Sequence, residues 1–299
     1  MKKNVLVTGA NGQLGREIEL IALQNGSSFC FIFTDVTELD ITDAAQVSDF
    51  IKENDIKYII NCAAYTAVDK AETDRGTADL INATGAENLA RASAENGCHL
   101  IHISTDYVFD GTSNTPYTED MPVNPLSAYG KSKLKGEKRV QEYDKQAIII
   151  RTSWLYSEFG ENFVKTMLRL MSEKESLNII SDQHGTPTYA ANLAEAIVHI
   201  LDFTEHNEWK PGIYHFSNQG ETTWFGFAER IKELVKVEQC TLNSISTKEY
   251  GDSIVNRPMY SVMDKSKIES TFQMMIPAWE DGLERCLGSI FKRLNMNKR

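Results

Sequence analysis

Tyr129 and Lys133 lie four positions apart in a segment that reads on as a helix through Leu134, Val140 and Tyr143. Four positions on a helix put two side chains on one face, one turn apart. A free phenol, with a pKa of about 10, is a poor acid–base group at neutral pH, and a nearby ammonium favours its phenolate. Lys133 is therefore expected to lower the pKa of Tyr129 towards the working range. Thr105 ends the apolar run Leu100-Ile101-His102-Ile103 and offers a hydroxyl to bind a carbonyl oxygen beside that phenol. Tyr and Lys share helix faces by chance very often, so the pair gains its weight from the elements around it.

The first of these is a strand–turn–helix–strand unit: a strand over 4–8, glycines at Gly9, Gly12 and Gly15, an apolar helix running to Gln24, then a strand over 29–34 ending at Asp35. This is a spacing variant of the dinucleotide fingerprint, with Gly9 for the tight turn, Gly12 for backbone approach to a pyrophosphate and Gly15 for close helix–strand packing. The helix N-terminus then presents free N–H groups to phosphates. Asp35 follows Gly15 by twenty positions, where an acid binds ribose hydroxyls. A bare glycine turn needs no ligand; strand, glycines, helix, strand and acid in register point to one.

A helical stretch to Asn54 leads into a strand over 58–61, which opens into the small residues Cys62, Ala63 and Ala64. Either tight packing or a cofactor lying across the sheet edge explains them. A helix over 77–96 and a strand over 100–104 continue the alternation, which implies a doubly wound parallel sheet. The stretch 110–126 carries Pro116, Pro122 and Pro125 and reads as a loop over the site rather than a linker. A strand over 147–150 follows the Tyr129 helix. Beyond it lie a helix over 162–171, a strand over 177–180, and helices over 189–203, 224–235 and 279–291. The expected division is 1–156 for a Rossmann-type NAD(P)-binding domain and 157–299 for a smaller, mainly substrate-binding lobe interleaved with it.

The chain has 299 residues, 41% hydrophobic and 24% charged, an ordinary soluble globular balance with length enough for a substantial core. No apolar run approaches the roughly 20 residues that span a bilayer. A strand pattern begins almost at the N-terminus, so a cytoplasmic location without a signal peptide is expected. The net charge of −11, with no basic stripe, argues against nucleic acid or an anionic membrane as partner. Cys30, Cys62 and Cys98 sit in or beside apolar runs and are expected to be buried, reduced thiols. Neither the five cysteines nor the six histidines show metal-ligand spacing. His99 and His102, three apart on a strand, should face opposite ways. No metal site is expected.

With these residues in place, the chain resembles the extended short-chain dehydrogenase/reductase superfamily and, within it, the dTDP-4-dehydrorhamnose reductases. The resemblance runs over nearly the whole chain: G-x-x-G-Q-L-G at 9–15, N-C-A-A-Y-T-A-V-D-K-A-E at 61–72, S-T-D-Y-V-F-D-G at 104–111 and P-L-S-A-Y-G-K-S-K at 125–133. It continues with R-T-S-W-L-Y at 151–156, N-F-V-K-T-M-L-R-L at 162–170, D-Q-H-G-T-P-T at 182–188 and R-P-x-Y-S at 257–261. The glycine pattern and Tyr-x-x-x-Lys are shared by the superfamily, whereas V-D-K-A-E, R-T-S-W and D-Q-x-G-x-P-T are narrower.

The resemblance implies reduction of the 4-keto group of dTDP-4-dehydro-β-L-rhamnose to dTDP-L-rhamnose by NADPH or NADH. It gives Tyr129 the proton, Lys133 the nicotinamide ribose and Thr105 the developing oxyanion. Asn11, Gly12, Gln13, Leu14, Asp35, Asp40, Ile41, Cys62, Ala63, Ala64, Tyr65 and Ser104 map to the cofactor. Asp35 would repel a 2′-phosphate and leans towards NADH, with NADPH at least tolerated. Thr105, Asp106 and Trp154 map to the sugar, with Phe109, Asn162 and Gln183 behind them. Arg257 suits a diphosphate, or else is a surface cation. Some relatives bridge subunits with magnesium held by glutamates, and the stretch 189–193 lacks the acid for it, so a metal-bridged dimer is not expected. A homodimer is left open. Two other readings stand beside this one: an NAD-dependent nucleotide-sugar epimerase, and a non-catalytic NADP-binding protein such as the regulatory beta subunit of methionine adenosyltransferase. The presence of Thr105, Tyr129 and Lys133 together favours an enzyme.

Overall fold

The sheet is built from runs that are apolar on both faces. Strands β1 (Lys3–Thr8), β2 (Phe29–Thr34), β3 (Ile56–Asn61), β4 (His99–Thr105) and β5 (Ile148–Thr152) all pair in parallel. Alternate residues split between two cores, as a period of two requires. Val5, Val7, Tyr58, Ile60, Ile101, Ile148 and Ile150 face α1 (Gln13–Ala22) and the helix Ala190–Thr204. Leu6, Ile59, Leu100 and Ile149 face α2 (Ala44–Glu53), the helix Ala86–Asn96 and the helix Ala128–Tyr143, which carries Tyr129 and Lys133. Helices on both faces cover the continuous apolar strands, so this is a doubly wound α/β fold. The computed structural model describes residues 2–23, 28–251 and 255–296, and Gln24, the expected helix end, lies outside them.

A sixth strand, Gly212–His215, pairs in parallel with β5 and completes the order β2-β1-β3-β4-β5-(Gly212–His215). Strand succession reverses between β1 and β3, and a ligand crevice opens at such a reversal, outside the carboxyl ends of the strands. The sixth strand was not expected, because four residues after Pro211 carry too little pattern to be read alone. The strand Thr241–Ile245, which pairs with Ser176–Ile180, and the helix Ser266–Phe272 were missed for the same reason. Residues beyond 156 divide between two places. The helix Ala190–Thr204 and the sixth strand pack into the sheet's own core. Val164, Met167, Phe227, Trp279 and Leu283 form a separate apolar cluster with Tyr156.

Two local expectations need correction. Cys30 is exposed, because β2 is the sheet's edge strand, while Cys98 is buried and Cys62 half-buried. The helix expected over 77–96 starts at Arg75 and is broken by a π-helical turn, Leu80–Gly85. Asn82 in that turn donates to the Ser132 hydroxyl (2.9 Å) and to the Tyr65 carbonyl (3.1 Å), and accepts from the Tyr65 amide (2.8 Å). A widened turn lets the Asn82 carbonyl meet the Tyr129 helix at Gly136, where a β-carbon would clash with that oxygen. His99 and His102 face opposite ways, His99 stacking on Trp209 (4.4 Å) and His102 meeting Asn61 (3.0 Å).

Helix propensity alone would make Gly136→Ala stabilising by about 1 kcal/mol. The backbone clash opposes it with an overpacking penalty of about 1–3 kcal/mol. The variant is expected to be less stable than wild type in urea unfolding; an increase in midpoint would show that the two helices separate freely.

Candidate active site

The nucleotide end is built from backbone. Gly9 has φ +65°, and a β-carbon there would come within 2.6 Å of the Ala63 nitrogen, so the ends of β1 and β3 lie close together around a side-chain-free turn. Gly15 packs against Gly9 and Ala10 in the same way. Gly12 is the N-cap of α1 and brings no side chain to it, so the first-turn amides are left to an anion. That cradle fits a dinucleotide pyrophosphate. Asp35 accepts from the Asn11 amide (3.0 Å) and the Val36 amide (2.8 Å), so it pins the turn while lining the cavity. Asp40 accepts from the Thr42 amide and hydroxyl (2.9 and 2.8 Å).

One cavity of about 900 Å³ runs from this turn to Tyr129. Its walls include Gly9, Gly12, Gln13, Leu14, Gly15, Asp35, Asp40, Ile41, Cys62, Ala63, Ala64, Ser104, Thr105, Asp106, Tyr129, Lys133 and Trp154. Asn11 and Tyr65 do not line it: the Asn11 amide is taken by Asp35, and the Tyr65 hydroxyl donates to Asp74 (3.2 Å). The Ser104 hydroxyl is also turned away, towards Glu137 (2.5 Å).

Ser127 caps the Tyr129 helix by accepting from the Gly130 amide (3.0 Å), and Glu72 accepts from the Ala128 amide (2.7 Å). Its buried face carries Lys133, 2% exposed, whose Nζ donates to the Ile103 carbonyl (2.6 Å). Thr105 ends β4 beside them. Its hydroxyl donates to Asp106 Oδ1 (3.0 Å) and accepts from the Tyr107 amide (3.2 Å). The Tyr107 ring meets Tyr129 edge-on at 5.6 Å.

The electrostatics differ from the expectation. Burial drives the Tyr129 phenol up, with the Thr105 hydroxyl pulling it back down. Burial also lowers Lys133, to about 8, against the upward pull of Glu137. Lys133 does not bring the phenol into the neutral range in this structure, because its ammonium is turned to Ile103 and desolvation outweighs it. Asp106 is pushed up to about 7 by burial, and its Oδ2 finds no partner among the described residues.

Trp154 holds φ +45° and stacks on Trp224 at 3.6 Å, an unusual backbone for a bulky residue. Four residues expected at the substrate, Phe109, Asn162 and Gln183 behind the sugar and Arg257 at its diphosphate, do not line this cavity. Phe109 stacks on Tyr117 in a small core (4.2 Å). Asn162 caps the helix Phe163–Glu173, accepting from Lys165, and donates to Gln13 (2.9 Å). Gln183 donates to Thr247 (3.1 Å). Arg257 forks onto Asp69 (2.8 and 2.9 Å) and donates to the Tyr107 hydroxyl (3.2 Å). Tyr107, Ser153, Gly160 and Glu161 line the cavity and were missed. For Tyr107 the signal was adjacency to Asp106; the 157–161 loop carries none.

A family model described as the RmlD substrate binding domain matches residues 2–291. The chain is 37% identical to a dTDP-4-dehydrorhamnose reductase of Aggregatibacter actinomycetemcomitans, covering 94% of this chain and 97% of the relative. It is 42% identical to the spore coat polysaccharide biosynthesis protein SpsK of Bacillus subtilis, over 89% of this chain and 90% of that one. Among solved structures, the dTDP-4-dehydrorhamnose reductase of Bacillus anthracis in complex with NADP superposes with a TM-score of 0.90 at 40% identity, covering 97% of this chain and 100% of that one. By the extent of these matches, the chain belongs to the RmlD substrate binding domain family.

Proposed function

We propose that this protein reduces the 4-keto group of dTDP-4-dehydro-β-L-rhamnose to dTDP-L-rhamnose with NADPH or NADH. The observation that carries the reading is the convergence of Thr105, Tyr129 and Lys133 on the cavity that begins at the glycine turn. The relatives named as this reductase, and the neighbour bound to NADP, support the substrate and the cofactor. Residues 157–299 serve mainly as the substrate lobe, and the reaction belongs in the cytoplasm; no helix of the described residues is long and apolar enough to cross a membrane.

Gly9, Gly12, Gln13, Leu14, Gly15, Asp35, Asp40, Ile41 and residues 62–64 hold the dinucleotide, with Lys133 at the nicotinamide ribose. The bound nicotinamide supplies the hydride. Tyr129, its phenol kept protonated by burial, gives its proton to O4 as negative charge develops there. An alkoxide is more basic than a phenolate, so a raised phenol is still a competent acid. The Thr105 hydroxyl, turned from Asp106 Oδ1, donates to the same oxygen, where charge develops and such a contact counts most. Trp154 and Asp106 form the sugar's other walls, and the unpartnered Oδ2 of Asp106 is free to meet a sugar hydroxyl.

The test is oxidation of NADPH or NADH with dTDP-4-dehydro-L-rhamnose made in situ. Wild type is expected to consume cofactor stoichiometrically, which an epimerase does not. Tyr129→Phe should lose roughly a hundredfold to ten-thousandfold in turnover with cofactor binding retained. Near-normal turnover by Tyr129→Phe would remove Tyr129 from its role.

Asp106 gives a separate check on the site's dryness. Its folded pKa of about 7 stands above the ordinary 3.8, so its stability contribution is complete below pH 3.8 and is lost as pH rises through 7. Asp106→Asn is therefore expected to gain on wild type between those limits by about 1 kcal/mol per pH unit, read from urea midpoints. A constant difference across that range would mean that the carboxyl is solvated.

A further inference from the structure

Glu137 does not line the cavity, yet it is the most constrained carboxylate beside the acid–base pair. It lies one turn beyond Lys133 on the buried face, as Lys133 lies one turn beyond Tyr129. Its side chain is 2% exposed and that of its partner Arg151 3%. Arg151 on β5 donates through Nε to Oε1 (2.9 Å) and through Nη2 to Oε2 (2.8 Å), and Ser104 on β4 donates to Oε1 (2.5 Å). Ser104 stands between Ile103, whose carbonyl takes Lys133, and Thr105. One carboxylate therefore joins the catalytic helix to the two strands whose ends carry the rest of the site.

A buried ion pair is a poor device for stability, since desolvating both ions offsets most of their attraction and an apolar pair fills the same space. The surroundings of Lys133 suggest another use. The groups facing it are Glu137 on its own helix, Arg151 behind that, Cys62 from the end of β3, and His102 from β4. Burial pushes the Cys62 thiol up to about 12 and His102 well down, so both are neutral near pH 7. Asp106 sits farther along, beyond Thr105. Glu137 is thus the anion that acts on Lys133, and it opposes the burial that would discharge it.

We propose that Glu137 is a positioning residue of this reaction: clamped by Arg151 and Ser104, it seats the Tyr129 helix on the strand carrying Thr105 and keeps Lys133 an ammonium in a dry site. The proposal rests on the reductase reading above for its kinetic consequence, but not for its electrostatic one.

Two measurements test it, on wild type and Glu137→Gln. The first is kcat against pH. Wild-type turnover should fall as pH rises through about 8, where Lys133 discharges. In Glu137→Gln that limb should move about one pH unit or more towards acid, with about a tenfold loss of kcat at pH 8 and little change in the sugar's KM. The second needs no substrate: the pH dependence of Lys133 modification by an amine reagent in the cofactor-free protein, read by mass spectrometry, should shift the same way. If the carboxylate only braces the fold, kcat will scale equally at every pH and the labelling midpoint will stay put, which overturns the proposal. Should Glu137→Gln fail to fold, Glu137→Asp keeps the charge but withdraws it by one methylene. It should move both readouts by about half a unit, and unmoved readouts count as the same refutation. Absence of turnover in wild type would count against the reductase reading alone, because labelling still decides the role of Glu137.

Discussion

The helix that carries Tyr129 and Lys133 lies against its neighbours backbone to backbone. At Gly130 a β-carbon would meet the Tyr107 carbonyl, and at Gly136 the Asn82 carbonyl. Those two contacts set how deeply the helix sits, and depth decides everything above it. Lys133 reaches Ile103, Glu137 reaches Ser104 and Arg151, and Tyr129 comes beside Thr105 only at that distance. A larger residue at either glycine would lift the helix off the strand. The π-helical turn belongs to the same contact, presenting the Asn82 carbonyl to Gly136 and the Asn82 side chain to Ser132.

Chemistry at this site is a matter of dryness more than of pairing. The phenol, the ammonium and Asp106 are all displaced in the direction that burial dictates, each towards its neutral form. On the proposed assignment the acid must be protonated before hydride arrives, and the raised phenol of Tyr129 is. The ammonium is the group at risk in such a site, which is why a second-turn carboxylate matters.

What could be read from the residues alone was whatever is local. The strand, glycine turn, helix and Asp35 lie within about thirty residues and obey one motif, and the structure sets them as that motif demands. The alternating strands gave the fold class for the same reason. The sixth strand was illegible because its identity comes from β5, some sixty residues earlier, and not from its own four residues. The electrostatics of Tyr129 were misjudged because spacing reveals which charge is near but not how much water is absent. Asn162 carries a second signal beside the resemblance: an Asn ahead of the apolar run 163–170 is an N-cap signal, and the structure makes that use of it.

The sixth strand has a consequence for how this chain is made. By residue 156 a ribosome has delivered Thr105, Tyr129 and Lys133, but nothing yet covers the outer edge of β5, and the helix Ala190–Thr204 that closes one face of the sheet has still to be synthesised. A nascent chain at that stage exposes an unpaired strand of isoleucines and an open apolar face, the surfaces most prone to aggregation. Thr105, Tyr129 and Lys133 are therefore complete well before the sheet that must hold them, which closes only once residues 190–215 are made.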